Sequence, residues 1–105
     1  MSHKIRLSQR VTRDIELAYL YIRQDAPQRA KRWRKRLRDA IHSLNSFPER
    51  HALLFDAATA GREVRQMSFG VYLVLYSIDR DVVDILTVRH GARKPIEPDD
   101  LPSEP

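Results

Sequence analysis

The apolar positions of this chain change their period twice. Lys4-Ile5-Arg6-Leu7 alternates charged and apolar residues, which predicts a short strand over Lys4 to Leu7 with Ile5 and Leu7 on one face. Ser8 stands where an N-cap belongs, and Val11, Ile15, Ala18 and Ile22 follow as one stripe of a helix that runs to about Asp25. Pro27 breaks that helix and suits the first turn of another. Along the second helix Ala30, Trp33, Leu37, Ile41 and Leu44 form a stripe that Phe47 continues and Pro48 stops. Two amphipathic helices joined by Asp25-Ala26-Pro27 predict a hairpin packed on one face of a sheet.

After Pro48 the period becomes that of strands. His51 to Phe55 and Arg62 to Met67 read as strands, with Ala57 to Gly61 as a loop between them. Val71 to Ile78 and Val82 to Val88 form the clearest pair, joined by Asp79-Arg80-Asp81 as a hairpin. Large apolar groups occupy both faces of these two strands, which places them near the centre of the sheet. The expected fold is α+β: strand, helix, helix, then a meander of three or four strands, making one sheet and one helical layer.

At 105 residues the chain suffices for one core and not two. It has no cysteine, so disulfides and thiolate metal sites are excluded, and Met1 to Arg6 lacks the apolar run of a signal peptide. A cytoplasmic protein without membrane contact is expected. The charge is uneven: Pro95 to Pro105 holds Glu97, Asp99, Asp100 and Glu104 with no Lys or Arg. Removing those four acids leaves 19 basic against 10 acidic residues, so residues 1–94 carry a formal +9 where the whole chain carries +5. Four of the six prolines fall in residues 95–105 as well, which predicts a flexible acidic tail on a basic domain of residues 1–94. Such a domain attracts nucleic acid or acidic protein segments.

Two basic clusters stand out. Arg29, Lys31, Arg32, Arg34, Lys35, Arg36 and Arg38 cover the part of the second helix that its apolar stripe leaves free. They suit either a solvated face or an anion-binding footprint, with Arg29, Arg32, Lys35 and Arg36 as the candidate surface. Trp33 lies among them at stripe spacing and reads as core. The second cluster draws on separate strands: Arg62 and Arg65, Tyr72 and Tyr76, and Arg89, His90 and Arg93. Neighbouring strands lie about 4.8 Å apart, so these side chains can share a patch able to stabilise phosphoryl charge and move a proton without a metal. The alternative is structural: the tyrosines pack on the helices, Arg65 pairs with Asp84 or Glu63, and His90 caps a strand end. His3, His42, His51 and His90 lack metal-ligand spacing, and the three glycines form no phosphate-binding loop, so no metal or cofactor is expected.

Across Lys4 to Lys94 the order of these pieces resembles the RelE/ParE family of toxins from type II toxin–antitoxin systems. The resemblance rests on Leu7-Ser8, Asp14-Ile15 to Tyr21-Ile22, Pro27 to Ala30, Leu44 to Pro48, Gly61-Arg62 with Val64-Arg65, Tyr72 to Tyr76, and His90-Gly91-Ala92-Arg93. It implies a toxin bound in a hetero-oligomer by a cognate antitoxin, encoded by an adjacent gene, whose acidic or amphipathic segment wraps it. Members like RelE are ribosome-dependent messenger-RNA endonucleases, and members like ParE inhibit DNA gyrase by binding it. The ribonuclease branch commonly has an Arg after the aromatic of the central strand, where this chain has Leu73 after Tyr72. The His-Gly-Ala-Arg ending is also more like ParE. The resemblance therefore implies a gyrase inhibitor with no catalytic residues, binding its target through Arg62, Arg65, Arg89, His90 and Arg93. The ribonuclease alternative would use Arg65, Arg89 and Arg93 to stabilise charge and His90 to move the proton. A plain nucleic-acid-binding module built on Arg29 to Arg38 is the third reading.

Overall fold

The computed structural model describes residues 2–101. Strand β1 (Lys4–Leu7) leads into helices α1 (Gln9–Asp25) and α2 (Pro27–His42), followed by β2 (Leu53–Phe55), a one-turn helix α3 (Ala57–Ala60), β3 (Val64–Phe69), β4 (Tyr72–Asp79) and β5 (Val82–His90). The five strands lie in the order β1-β5-β4-β3-β2, with β1 parallel to β5 and the other pairs antiparallel. This is the α+β architecture read from the sequence, with four strands after the helices. No helix among the described residues is long and apolar enough to cross a membrane.

Local chemistry sets the helix ends. Ser8 Oγ accepts the Val11 N–H at 3.2 Å, so α1 begins at its side-chain cap, and Pro27 occupies the first turn of α2. Val11, Leu37, Ile41 and Leu44 of the helical layer are buried against Met67, Val74, Tyr76, Val83, Ile85 and Val88 of the sheet. Each such side chain contributes about 1.5–3 kcal/mol when fully removed from water. The outer face carries a smaller core of Val64, Leu75 and Leu86, packed by Leu54, Phe55, Ala60, Ile96 and Leu101.

Two expectations change. Phe47 does not continue the α2 stripe: its φ is 50° and its ring is 81% exposed, while Pro48 behind it is buried. Ala57 to Gly61 is not a plain loop, because Asp56 Oδ1 accepts the Thr59 N–H at 2.8 Å and Gly61, at φ 79°, ends the turn. These hydrogen bonds also hold the Asp56 carboxyl below its ordinary pKa. In the segment expected as a flexible tail, Pro98–Asp100 forms a 3-10 turn that brings Ile96 and Leu101 against the outer core. Residues 102–105 of that segment lie outside the described residues.

Candidate functional site: a basic aromatic cleft

The register of the central hairpin places Tyr72 opposite His90 and Leu73 opposite Arg89. The Tyr72 ring lies 5.3 Å from the His90 ring, edge to face, and 5.1 Å from the Trp33 indole. Burial, and then Tyr21, raise the Tyr72 pKa above the ordinary phenol value, so the ring enters the site neutral. Tyr21, on the last turns of α1, is 72% exposed at the rim, and Phe69, Gly70 and Val71 of the β3–β4 turn close the floor. Together these groups bound a cleft of about 650 Å³.

One wall of the cleft is cationic. Arg29, Arg32 and Arg36 line it from α2, and none of the three has an ion pair among the described residues. Lys35, on the same helix, does not share this wall: its Nζ lies 3.3 Å from Asp39. A neighbouring cavity of about 470 Å³ shares Tyr21, Tyr72 and His90 and extends to Arg89 and Arg93. Asp14 also lines that second cavity, with Oδ2 accepting a hydrogen bond from the Thr87 hydroxyl at 3.3 Å.

The two clusters read from the sequence thus regroup. Arg89, His90 and Arg93 line the second cavity, and His90 also lines the cleft with Arg29, Arg32 and Arg36. His90 Nδ1 accepts the Ala92 N–H at 3.0 Å, which in the neutral ring leaves the proton on Nε2. The Arg89 guanidinium turns back to the Lys94 carbonyl. Gly91 makes the turn tight: its N–H donates to the Val71 carbonyl at 2.7 Å, and a Cβ there would lie 3.1 Å from the same oxygen.

Arg65 is not part of this group. It lies opposite Tyr76, four residues along β4 from Tyr72, or about 13 Å at the rise of an extended strand. Its Nη1 donates to the carbonyls of Glu49 at 3.1 Å and His51 at 2.7 Å, and Nη2 lies 3.9 Å from Glu63. Asp84, the other acid considered for Arg65, is paired with Arg6 at 2.8 Å. Arg62 lies in the turn before β3, half-buried. Among the described residues no group of three His, Asp or Glu is placed to hold a metal ion.

Trp33 and Tyr72 pack against the inner core and Tyr76 is fully buried, as the packing alternative expects, and the contact of Trp33 with Tyr72 is what the sequence does not show. A usable signal was present on α1, where Leu17, Leu20 and Tyr21 are apolar residues off the buried stripe and stand exposed.

A helical hairpin over a five-stranded sheet, with cations gathered where the last strand ends, is the frame of small toxins from toxin–antitoxin pairs. The chain matches the family described as ParE toxin of type II toxin–antitoxin system, parDE, over residues 5–95, and it belongs to that family. No curated protein matches it. Among solved structures it is similar to the chromosomal ParDE system of P. aeruginosa, at 10% identity and TM-score 0.71, covering 85% of this chain and 96% of that one. It is also similar to the RelBE2 toxin–antitoxin complex of Mycobacterium tuberculosis (22% identity, TM-score 0.57, 86% and 99% covered). The archaeal RelE–RelB complex of Pyrococcus horikoshii matches at 20% identity and TM-score 0.56, with 90% and 100% covered. At these identities the structures speak for the fold.

Proposed function

We propose that this toxin acts in the cytoplasm as a ParE-like inhibitor that binds DNA gyrase and performs no chemistry of its own. The observation that carries the reading is the separation of Arg65 from His90. A ribonuclease built on Arg65, Arg89, His90 and Arg93 needs those groups around one phosphate, and Arg65 is spent on two loop carbonyls at the far end of the strand. The His90 ring points the same way: its Nδ1 lone pair is engaged by Ala92, so the neutral ring offers a donor at Nε2 and no base. Leu73 supplies no charge where the nuclease branch commonly has Arg.

A target surface of Arg89, His90 and Arg93 remains where β5 ends, while Arg62, before the start of β3, lies with Arg65 at the far end of the sheet. The cognate antitoxin, whose gene would lie beside this one, would cover the toxin with an acidic segment over Arg29, Arg32, Lys35 and Arg36. Apolar anchors on Leu17, Leu20 and Tyr21 would supply most of the affinity. The RelBE2 and RelE–RelB structures, both toxin–antitoxin complexes, support such a hetero-oligomer.

The test is the order of events after inducing the chain alone in a bacterium. A gyrase inhibitor gives a DNA-damage response and filamentous cells while amino-acid incorporation continues. Loss of incorporation first, with codon-associated cuts in messenger RNA, would assign the ribonuclease function instead.

A further inference from the structure

The second cavity holds opposite charges that do not meet. Arg89 lines it from the end of β5, Arg93 from the turn that follows, and Asp14 from α1, the sole carboxylate on its wall among the described residues. None of these three side chains has an ion pair among the described residues. Asp14 is nevertheless held in place, because its Oδ2 accepts a hydrogen bond at 3.3 Å from the hydroxyl of Thr87, which is buried on β5. The Arg89 guanidinium is fixed in turn by the Lys94 carbonyl. Ala18 and Val88 give the same cavity an apolar wall. Positioned charges of both signs, left apart across about 470 Å³, are complementary to a ligand that carries both signs itself.

We infer that Asp14 is a specificity-determining residue of the target surface: it receives a lysine or arginine side chain of the protein target, while carboxylates beside that side chain meet Arg89 and Arg93. The inference rests on the reading of this toxin as a binder of a protein, and it names what that protein must present. The stem of the incoming side chain lies on Ala18 and Val88 and its charged head reaches Asp14, as long basic side chains do when they bury their methylenes. A nucleic acid offers only negative charge, so it gains from the two arginines and is repelled by Asp14. A purely acidic peptide is disfavoured here for the same reason. Asp14 thereby turns part of a basic surface, which would attract any polyanion, into one that selects a mixed-charge protein patch.

Asp14→Asn separates this role from a structural one, because asparagine keeps the size of the side chain and an oxygen for the Thr87 hydroxyl while removing the charge. Asp14→Glu keeps the charge, and Glu49→Gln, in the loop after α2, removes one negative charge away from the cavity. Each full-length variant is induced in a bacterium at matched soluble level, and the purified proteins are titrated with a fluorescent DNA duplex of mixed sequence at several salt concentrations. Asp14→Asn is expected to require about tenfold more protein to arrest growth, with Asp14→Glu and Glu49→Gln near the wild type. The Asn variant should also bind the duplex more tightly than the other three proteins, with a salt slope steeper by about one unit as one further phosphate is engaged. Growth arrest by Asp14→Asn at the wild-type level would overturn the inference, as would a duplex affinity that stays unchanged or rises equally in Glu49→Gln. So would loss of arrest in Asp14→Glu and Asp14→Asn alike, or loss of folding in Asp14→Asn, each the mark of a structural role. Gyrase supercoiling is assayed alongside: gyrase untouched by a wild type that still arrests growth would contradict the gyrase reading, and the ranking of the variants would still decide the role of Asp14. A wild type that leaves growth unaffected would overturn both.

Discussion

The Tyr76 hydroxyl, at the fully buried centre of β4, donates a hydrogen bond of 2.5 Å to the backbone carbonyl of Pro48. That bond ties the loop after α2 to the middle of the sheet, and Arg65 on the adjacent strand holds the Glu49 and His51 carbonyls of the same loop. Burial raises the pKa of Tyr76, so the phenol keeps the proton it donates at physiological pH. Tyr76→Phe leaves a buried carbonyl without its donor and should cost about 1–3 kcal/mol in urea denaturation. An unchanged midpoint would show that the loop is held by packing alone.

His51 gives the loop a pH dependence. Burial first, and then the Arg50 charge, push its pKa below the ordinary 6.5. Its Nε2 is also buried without a hydrogen-bond partner, and its ring packs edge-on against Tyr76 with centroids 6.4 Å apart. With a depressed folded pKa, the unfolded chain binds more protons just below pH 6.5, so stability falls as pH drops through that value. His51→Gln should shrink the difference in unfolding free energy between pH 7.5 and pH 5.0. An undiminished difference would place the dependence on other groups.

The acidic C-terminal segment should be measurable as part of the fold. Ile96 and Leu101 pack on Val64, Leu75 and Leu86, so ending the chain at Lys94 uncovers that outer core. Truncation is expected to lower the melting temperature by several degrees, and Ile96→Ala should cost about 1 kcal/mol, less than at a fully buried site. Equal stability of the full and truncated chains would make the segment an appendage.

Most of the frame is legible where local rules act alone. The Ser8 cap, the Pro27 start of α2 and the β4–β5 hairpin follow from residue type and period, and each stands within one or two residues of its expected limits. What the pattern hides depends on contacts far apart in sequence. Phe47 swings out because Pro48, one residue on, takes the buried place. The joining of Trp33 with Tyr72 and of Arg32 with His90 is set by how α2 crosses the sheet, which neither period encodes. Helix α3 has a capping Asp56 and a terminal Gly61, but one turn is too short to show a stripe.

At the strand end, Arg93 is exposed and the Arg89 guanidinium reaches only a loop carbonyl, so neither side chain supports the core. Arg89→Ala with Arg93→Ala should abolish growth arrest while shifting stability by about 0.5 kcal/mol or less per site. A folded double variant that still arrests growth would remove these arginines from the target surface.

The claim that the toxin works by binding gyrase is tested most directly on purified components, by comparing the chain with its His90→Gln variant. Glutamine keeps hydrogen-bonding capacity but cannot take up a proton near neutral pH. Both proteins are predicted to inhibit supercoiling of relaxed plasmid by gyrase, within a few-fold of each other, and to leave ribosome-bound messenger RNA intact. Gyrase untouched by the wild-type chain, together with messenger cleavage that His90→Gln loses by orders of magnitude, would contradict the account.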